Sequence, residues 1–303
     1  MGEWWLIVLG PALLGVLALS AASWSAVLDG RAAGTSVRVS QPLREVGGLL
    51  IQQRRVTPAA DTVLWRVGGA GVGVAAVLAV LVVPLGHRPI SDLSIGVVWF
   101  NGAEVLAWAA LWLAGWGANS VFGLVGGYRF VAQGLAYELP HMFALITAAL
   151  GAQSLRVGDI VAAQSHVWFV VWMPVAFVVY LISALAMSFS GPFDQPVGTD
   201  LAGGVAAELS GVDRLVFAGG RYLLLTAAAA MAVPLFLGGD GGPLLPGWVW
   251  VLVKTVVVLG GLVWLRTRMP TVRMDRFTEV AWVVLIPLTL VQALVVAVVV
   301  LLT

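Results

Sequence analysis

Eight stretches of this chain stay apolar long enough to cross a bilayer. They lie at about residues 4–24, 63–85, 95–116, 130–151, 166–189, 216–238, 247–265 and 279–302. Each approaches the ~20 apolar residues that a spanning helix needs. Their hydrophobicity is continuous rather than alternating, which disfavours barrel strands. The pattern predicts an all-α polytopic membrane bundle of about eight helices. Polar positions gather between the stretches. Segments 25–62, 190–215 and 266–278 are long or polar, and the remaining connections are short. No soluble domain, low-complexity tract or internal repeat interrupts the pattern, so residues 1–303 read as a single integral membrane domain.

The basic residues sharpen this picture. Arg31, Arg38, Arg44, Arg54, Arg55, Arg129, Arg214, Arg266, Arg268, Arg273 and Arg276 fall in connections after odd-numbered stretches, and Arg66 and Arg221 lie at helix ends on the same side. Only Arg88 and Arg156 fall on the other side. A bias of thirteen against two places the first group in the cytoplasm and both termini on the non-cytoplasmic side. The opening MGEWW lacks the basic region of a cleaved signal peptide, so the first stretch is expected to be a retained helix.

Composition narrows the chemistry. Hydrophobic residues make up 60% of the chain and charged residues 10%, with a mean hydropathy of +1.00. So few charges could not cover a soluble domain of 303 residues. A net charge of +1 argues against nucleic acid, which requires a basic face. The absence of cysteine excludes disulfides, thiol catalysis and a cysteine-held iron–sulfur cluster in this chain. His87, His141 and His166 lack metal-ligand spacing, and no metal is expected.

Ionisable groups inside a bilayer cost about 2.5–3.5 kcal/mol each on insertion scales and usually face a bundle interior or water. The stretch GGYRFVAQGLAYELP, residues 126–140, carries Arg129, Gln133, Tyr137 and Glu138. Glu138 precedes Pro140, which frees a backbone carbonyl and bends a helix. A carboxylate there reads as a proton carrier or as a structural partner of an arginine on another helix. Glu104, about a third of the way into the third stretch, serves proton transfer or helix–helix contact. Lys254, inside the seventh stretch, either snorkels outward or pairs with an interior glutamate. The run RTRMPTVRMDR at 266–276 serves at least as a positive-inside anchor. SGPFDQP at 190–196 is stiffened by two prolines and followed by Asp200, Glu208 and Asp213, acids of a kind usual on solvated surface. GGAGVGVAA at 68–76 lacks the dinucleotide fingerprint and a preceding strand. Its small residues predict close helix packing. Many of the tryptophans lie near span ends, as an aromatic belt requires.

Four of these segments together carry a resemblance. Residues 115–140, GWGANSVFGLVGGYRFVAQGLAYELP, resemble a signature of the quinone-site membrane subunit of respiratory complex I (the H subunit in bacteria, subunit 1 in mitochondria). Asn119, Ser120, Gly126, Gly127, Arg129, Gln133, Tyr137, Glu138 and Pro140 match it in order and spacing. QPLREVGGLLIQQRRVTPAADTVLW at 41–65 resembles that family's first cytoplasmic loop. GPFDQP at 191–196 with ELSG at 208–211, and Lys254 followed by residues 266–288, resemble two further segments of that family in the same order.

The resemblance covers roughly residues 40–290. It implies a subunit without a complete active site of its own in an NADH:quinone oxidoreductase-like complex of the bacterial plasma membrane. Quinone would be its substrate, with no covalently bound group. The iron–sulfur donor would sit in a partner subunit, and other membrane-arm and peripheral-arm subunits would be its partners. Residues assigned to the quinone chamber on this basis are Gln41, Arg44, Arg129, Gln133 and Asp194, together with Asp200, Glu208, Arg266, Arg273 and Asp275. Glu138, Tyr137 and Lys254 are assigned to the proton path, and Glu104 joins them on its depth alone.

The chain also departs from the family pattern. Met187 and Ser190 stand where a glutamate and an arginine are usual before the PFD segment, and PVGT replaces a run holding two acids. Arg221 precedes Tyr222 where a glutamate is common, and Gln52 and Gln53 replace a Lys-Glu pair. These departures keep two alternatives open: the membrane anchor of an energy-converting hydrogenase-type complex, and a scaffold or ion-translocating subunit without quinone chemistry. An independent secondary transporter would show an inverted repeat.

Overall fold

The structure is a computed structural model and describes residues 5–36, 38–86 and 88–302. His87 and residues 1–4 of the MGEWW opening lie outside the described residues. The chain forms α1 (Trp5–Ala32), α2 (Gln41–Ile51), α3 (Thr62–Val80), a small antiparallel ribbon of β1 (Pro84–Leu85) and β2 (Arg88–Pro89), α4 (Gly96–Gly117) and α5 (Val121–Ala152). It continues with α6 (Val157–Ala163), α7 (Phe169–Trp172), α8 (Pro174–Met187), three short 3-10 turns between 195 and 206, α9 (Gly211–Phe236) and α10 (Gly247–Arg268). The chain then runs through α11 (Met274–Val280), a π turn (Ala281–Leu285) and α12 (Ile286–Leu302).

Among the described residues, seven helices are long and apolar enough to cross a membrane, and Pro174–Met187 is a shorter apolar one. The stretch expected as an unbroken span at 166–189 is therefore divided. Pro174 has no N–H and restricts the residue before it. Met173 accordingly sits at φ −121° and ψ 46°, outside helical geometry.

Other boundaries shift for local reasons. The fourth span begins at Val121 rather than at about 130, so Arg129, expected in a connection, lies on α5. The last span begins at Met274, and its π turn directly precedes Ile286 and Pro287. Pro287 cannot donate to the carbonyl four residues back. The expected loop 266–278 shrinks to 269–273, because Arg266 and Arg268 end α10 and Asp275 and Arg276 lie on α11. Segment 25–62 is not simply a loop: α1 runs through residue 32, and α2 packs on α1 and α9.

The bundle is organised around α9, which touches α1, α3, α8 and α10. From 224 to 236 every residue is buried, and a run of alanines there keeps the neighbouring helices close. By contrast, α12 buries only Thr289 and Val296. The small residues at 68–76 do permit close packing. A methyl group at Gly68 would lie 2.3 Å from the backbone nitrogen of Ala114 on α4.

Residues 188–210 fold back onto the bundle rather than standing free. Ser188, Phe189, Ser190 and Phe193 are buried. The backbone of Pro196 and Val205 crosses α5 so closely that a methyl at Gly126 would lie 2.5 Å from both. The first and third connections are stitched together beneath this crossing. Gly211 N donates to Gln52 Oε1 at 3.2 Å, and Arg55 N donates to Ser210 Oγ at 2.7 Å. Asn119 Nδ2 donates to the Pro58 carbonyl at 3.0 Å. Gln52, a departure from the family pattern, thus holds two connections together.

Candidate functional site: a polar stripe along α5

Arg129, Gln133, Tyr137 and His141 follow one another at intervals of four residues on α5. Side chains four apart share one helix face. The four therefore form a single stripe about 18 Å long, at 1.5 Å per residue. At its outer end, Arg129 lies 2.8 Å from Asp200 Oδ2 and donates to the Gln195 carbonyl at 3.2 Å. The Arg129 contact holds the exposed Asp200 carboxyl below the usual carboxylate range. One turn inward, Gln133 is buried and donates to the carbonyls of Ala186 at 2.7 Å and Phe193 at 2.9 Å.

The inner end is a cluster shared by three helices. Tyr137 OH accepts from Trp108 Nε1 at 2.8 Å, and Glu138 Oε1 accepts from Asn101 Nδ2 at 2.8 Å. Asn101 and Glu104 are three apart on α4, and Glu138 and His141 are three apart on α5, so the two pairs face one another across the helix contact. Glu104 and His141 are both 0% exposed. His141 Nε2 approaches Glu104 Oε2 to 3.1 Å. The contact is close enough for charge pairing but is not aligned as a hydrogen bond, and both Glu104 oxygens and both His141 nitrogens lack hydrogen-bond partners. Glu138 Oε2, Asn101 Oδ1 and Ser183 Oγ share that condition. His141 also lies against the Tyr180 ring of α8, with centroids 5.2 Å apart.

A second polar cluster joins α1, α9 and α10. Arg266 donates to Tyr222 OH at 2.9 Å and to Ser25 Oγ, and it lies 3.6 Å from Asp29. Arg221 donates to the Phe189 carbonyl and stands over the Phe189 ring. Asp194 has one buried, unbonded carboxylate oxygen. Beside this cluster, an apolar cavity of about 390 Å³ opens between α1, α2 and α9, with Tyr222 in its wall.

The remaining expected residues are placed apart. Glu208 accepts from Ser120 at 2.9 Å. Gln41 bonds Glu45 on exposed α2, where Arg44 is also exposed. Arg273 and Asp275 pair with each other on the surface. Lys254 neither snorkels to water nor pairs with a glutamate. It is buried, and its Nζ donates to the carbonyls of Leu237 at 2.7 Å, Gly239 at 2.9 Å and Gly241 at 2.7 Å, 4.2 Å from the centre of the Trp168 ring. Its partners lie at the exit of α9, and the structure does not bring it to Glu104, Tyr137 or Glu138. Gly238 and Gly239 take φ of 67° and 50° there, a backbone that glycine adopts without strain.

A model of the NADH dehydrogenase family matches residues 6–297. The chain belongs to that family. Its relatives include the H 2 subunit of NADH-quinone oxidoreductase from Geobacter sulfurreducens, 35% identical over 84% of this chain and 81% of that protein. The H subunit of the Geobacillus kaustophilus NADH-quinone oxidoreductase is 34% identical over 86% and 80%. The H 2 subunit from Cereibacter sphaeroides is 40% identical over 75% and 70%. The matched region contains every residue of the stripe and of both clusters.

Several members of these clusters escape sequence reasoning: His141, Asn101, Trp108, Tyr180, Ser25, Asp29 and the Arg221–Tyr222 pair. His141 does carry a signal. It stands four residues beyond Tyr137 and eight beyond Gln133, a helical spacing that a search for metal ligands passes over.

Proposed function

We propose that this NADH dehydrogenase family member is the membrane subunit of a complex I-like oxidoreductase of a bacterial plasma membrane. It forms a quinone chamber with partner subunits and couples quinone reduction to proton translocation. The observation that carries this reading is the α5 stripe, which joins a charged, loop-covered end at Arg129 to the buried carboxyl of Glu104 and the partly buried one of Glu138. A route of this kind is what a reaction needs when electrons arrive at one level and protons move at another.

The cavity between α1, α2 and α9 supports quinone as the substrate. It is largely apolar, as a lipid-soluble molecule requires, and its wall includes Tyr222, whose hydroxyl accepts from Arg266 and can meet a carbonyl headgroup. The segments 25–62, 190–215 and 266–278 lie on the side assigned to the cytoplasm by the arginine bias, where a peripheral arm carrying the iron–sulfur donor would dock. Within this reading, Arg129 and Gln133 hold residues 186–200 against α5 and so shape the chamber floor. Glu138 takes up and releases the proton, and the burial of Glu104 beyond it keeps that proton from leaking.

The test is to purify the chain from its native membrane with its partners and to compare wild type with Glu138→Gln and Arg129→Ala, checking subunit composition in each. Glu138→Gln is expected to assemble and to lose roughly 100-fold in coupled proton movement, the range typical of a removed acid–base group. Arg129→Ala is expected to lower quinone reduction. If assembled variants both match wild type, the chain is a scaffold and the proposal fails.

A further inference from the structure

We infer that His141 is a proton-carrying member of the buried path, linking Glu138 to Glu104, so that the relay runs from α5 to α4 through an imidazole. This deepens the proposed function and rests on it.

Three observations converge. His141 and Glu104 are completely buried and 3.1 Å apart, yet that contact is not aligned as a hydrogen bond. A charge pair kept for packing would be expected to satisfy its lone pairs and protons, because leaving them bare in low dielectric is costly. Second, the atoms without an aligned hydrogen bond are the reactive ones: both ring nitrogens, both Glu104 oxygens and Glu138 Oε2. Third, the positions are fixed from outside. Asn101 holds the other oxygen of Glu138 at 2.8 Å, and the rings of Phe100 and Tyr180 lie against the imidazole at centroid distances of 6.2 and 5.2 Å. The cluster is therefore oriented but chemically open.

The step balances without an oxidant or reductant. With Nε2 carrying the imidazole proton towards Glu104, Nδ1 is the basic nitrogen. A proton leaves the Glu138 carboxyl and bonds to Nδ1, giving an imidazolium flanked by two carboxylates. The Nε2–H bond then breaks and the proton bonds to Glu104 Oε2. Glu138 is left ionised, Glu104 neutral and the ring as its other tautomer. Glu138 and His141 are neighbours three apart on one helix, and the relay as proposed has the proton cross between them directly or over a bridging water. The titratable groups facing the ring are Glu104 from α4, Tyr137 and Glu138 from α5, and Tyr180 from α8.

The relay also bears on the departures in α8 and α9. Met187 stands where the resemblance leads one to expect a glutamate, and it is fully buried. The path to Glu104 lies on α4 and α5 and needs no acid at that position.

The experiment uses the purified complex reconstituted in vesicles, measuring protons moved per quinone reduced. His141→Gln keeps a polar side chain but cannot take up a proton. The double variant Glu104→Gln/His141→Gln removes the carboxylate together with the imidazole, so that no bare ion remains. Both are expected to assemble and to reduce quinone, with proton movement falling about 100-fold. An unchanged proton-to-quinone ratio in assembled His141→Gln overturns the inference. So does failure of both variants to assemble, which would make the pair a structural member. Loss of coupling in Glu138→Gln with none in His141→Gln defeats this inference while leaving the proposed function standing. Normal coupling in both defeats the proposed function itself.

Discussion

Lys254 and the Glu104–His141 pair are both buried charges in membrane-crossing helices, and their surroundings differ in kind. Lys254 presents three N–H donors and meets three carbonyls at 2.7–2.9 Å, with an indole ring over the ammonium. Every donor is used. Glu104 and His141 touch at 3.1 Å and leave all four of their polar atoms without hydrogen bonds. A saturated charge is fixed in place and has no proton to exchange without breaking structure. An unsaturated one can gain or lose a proton with little rearrangement. The family resemblance and depth group Lys254 and Glu104 in one proton path, and their satisfaction separates them: Lys254 is tied to the exit of α9, and the pair is left open for the proposed relay.

The largest effect should come from the saturated site. Lys254→Met strands three carbonyls at the end of α9, each worth about 1–3 kcal/mol when buried without a donor. A loss of roughly 3 kcal/mol or more is expected, read as a lower melting temperature of the purified complex or as failed assembly. If Lys254→Met kept wild-type stability and instead lost proton coupling, the contrast between the two sites would collapse.

A smaller effect is expected within the open cluster, where one link is made. Trp108 Nε1 donates to Tyr137 OH at 2.8 Å, and Tyr137 is buried. Trp108→Phe removes that donor and should cost about 1 kcal/mol of stability. It should alter coupling far less than His141→Gln does. Equal coupling losses in the two variants would show that the satisfied and unsatisfied atoms of the cluster act as one unit.

Much of this is legible in the sequence, because the bilayer imposes a single pattern. Long apolar runs become helices, and Gln133, Tyr137 and Glu138 fall inside one of them, although Arg129 reads as lying in the connection before it. What is not legible is either a local signal hidden in its surroundings or a contact with another helix. The division of the fifth span needs only Pro174, a local signal submerged in a continuous apolar run. That α2 is a helix is hidden by the polar residues around it. The pairing of His141 with Glu104 joins residues 37 positions apart, and it follows from how α4 sits on α5. Lys254 shows the limit most clearly, since its hydrogen-bond partners are backbone carbonyls and no side-chain motif announces them.

The smallest effect belongs to the exposed end of the stripe. Asp200 is 62% exposed, and its partner Arg129 is 28% exposed, so water and salt screen the pair. The Arg129 hydrogen bond lowers the Asp200 pKa below its ordinary value. A lowered carboxylate pKa means that the stabilisation is fully present above the unfolded value, near 3.9, and is lost as pH falls through the folded value. Asp200→Asn should therefore cost less than about 1 kcal/mol at neutral pH. The cost should be constant from about pH 6 to 8, shrink as salt is added, and vanish only in strong acid. Thermal unfolding of wild type and variant across that range checks this. A difference that changed between about pH 6 and 8 would mean that Asp200 senses some other titrating group. The outer end of the stripe would then share the openness of its inner end, and the stripe would be a single proton-responsive element instead of a latch joined to a relay.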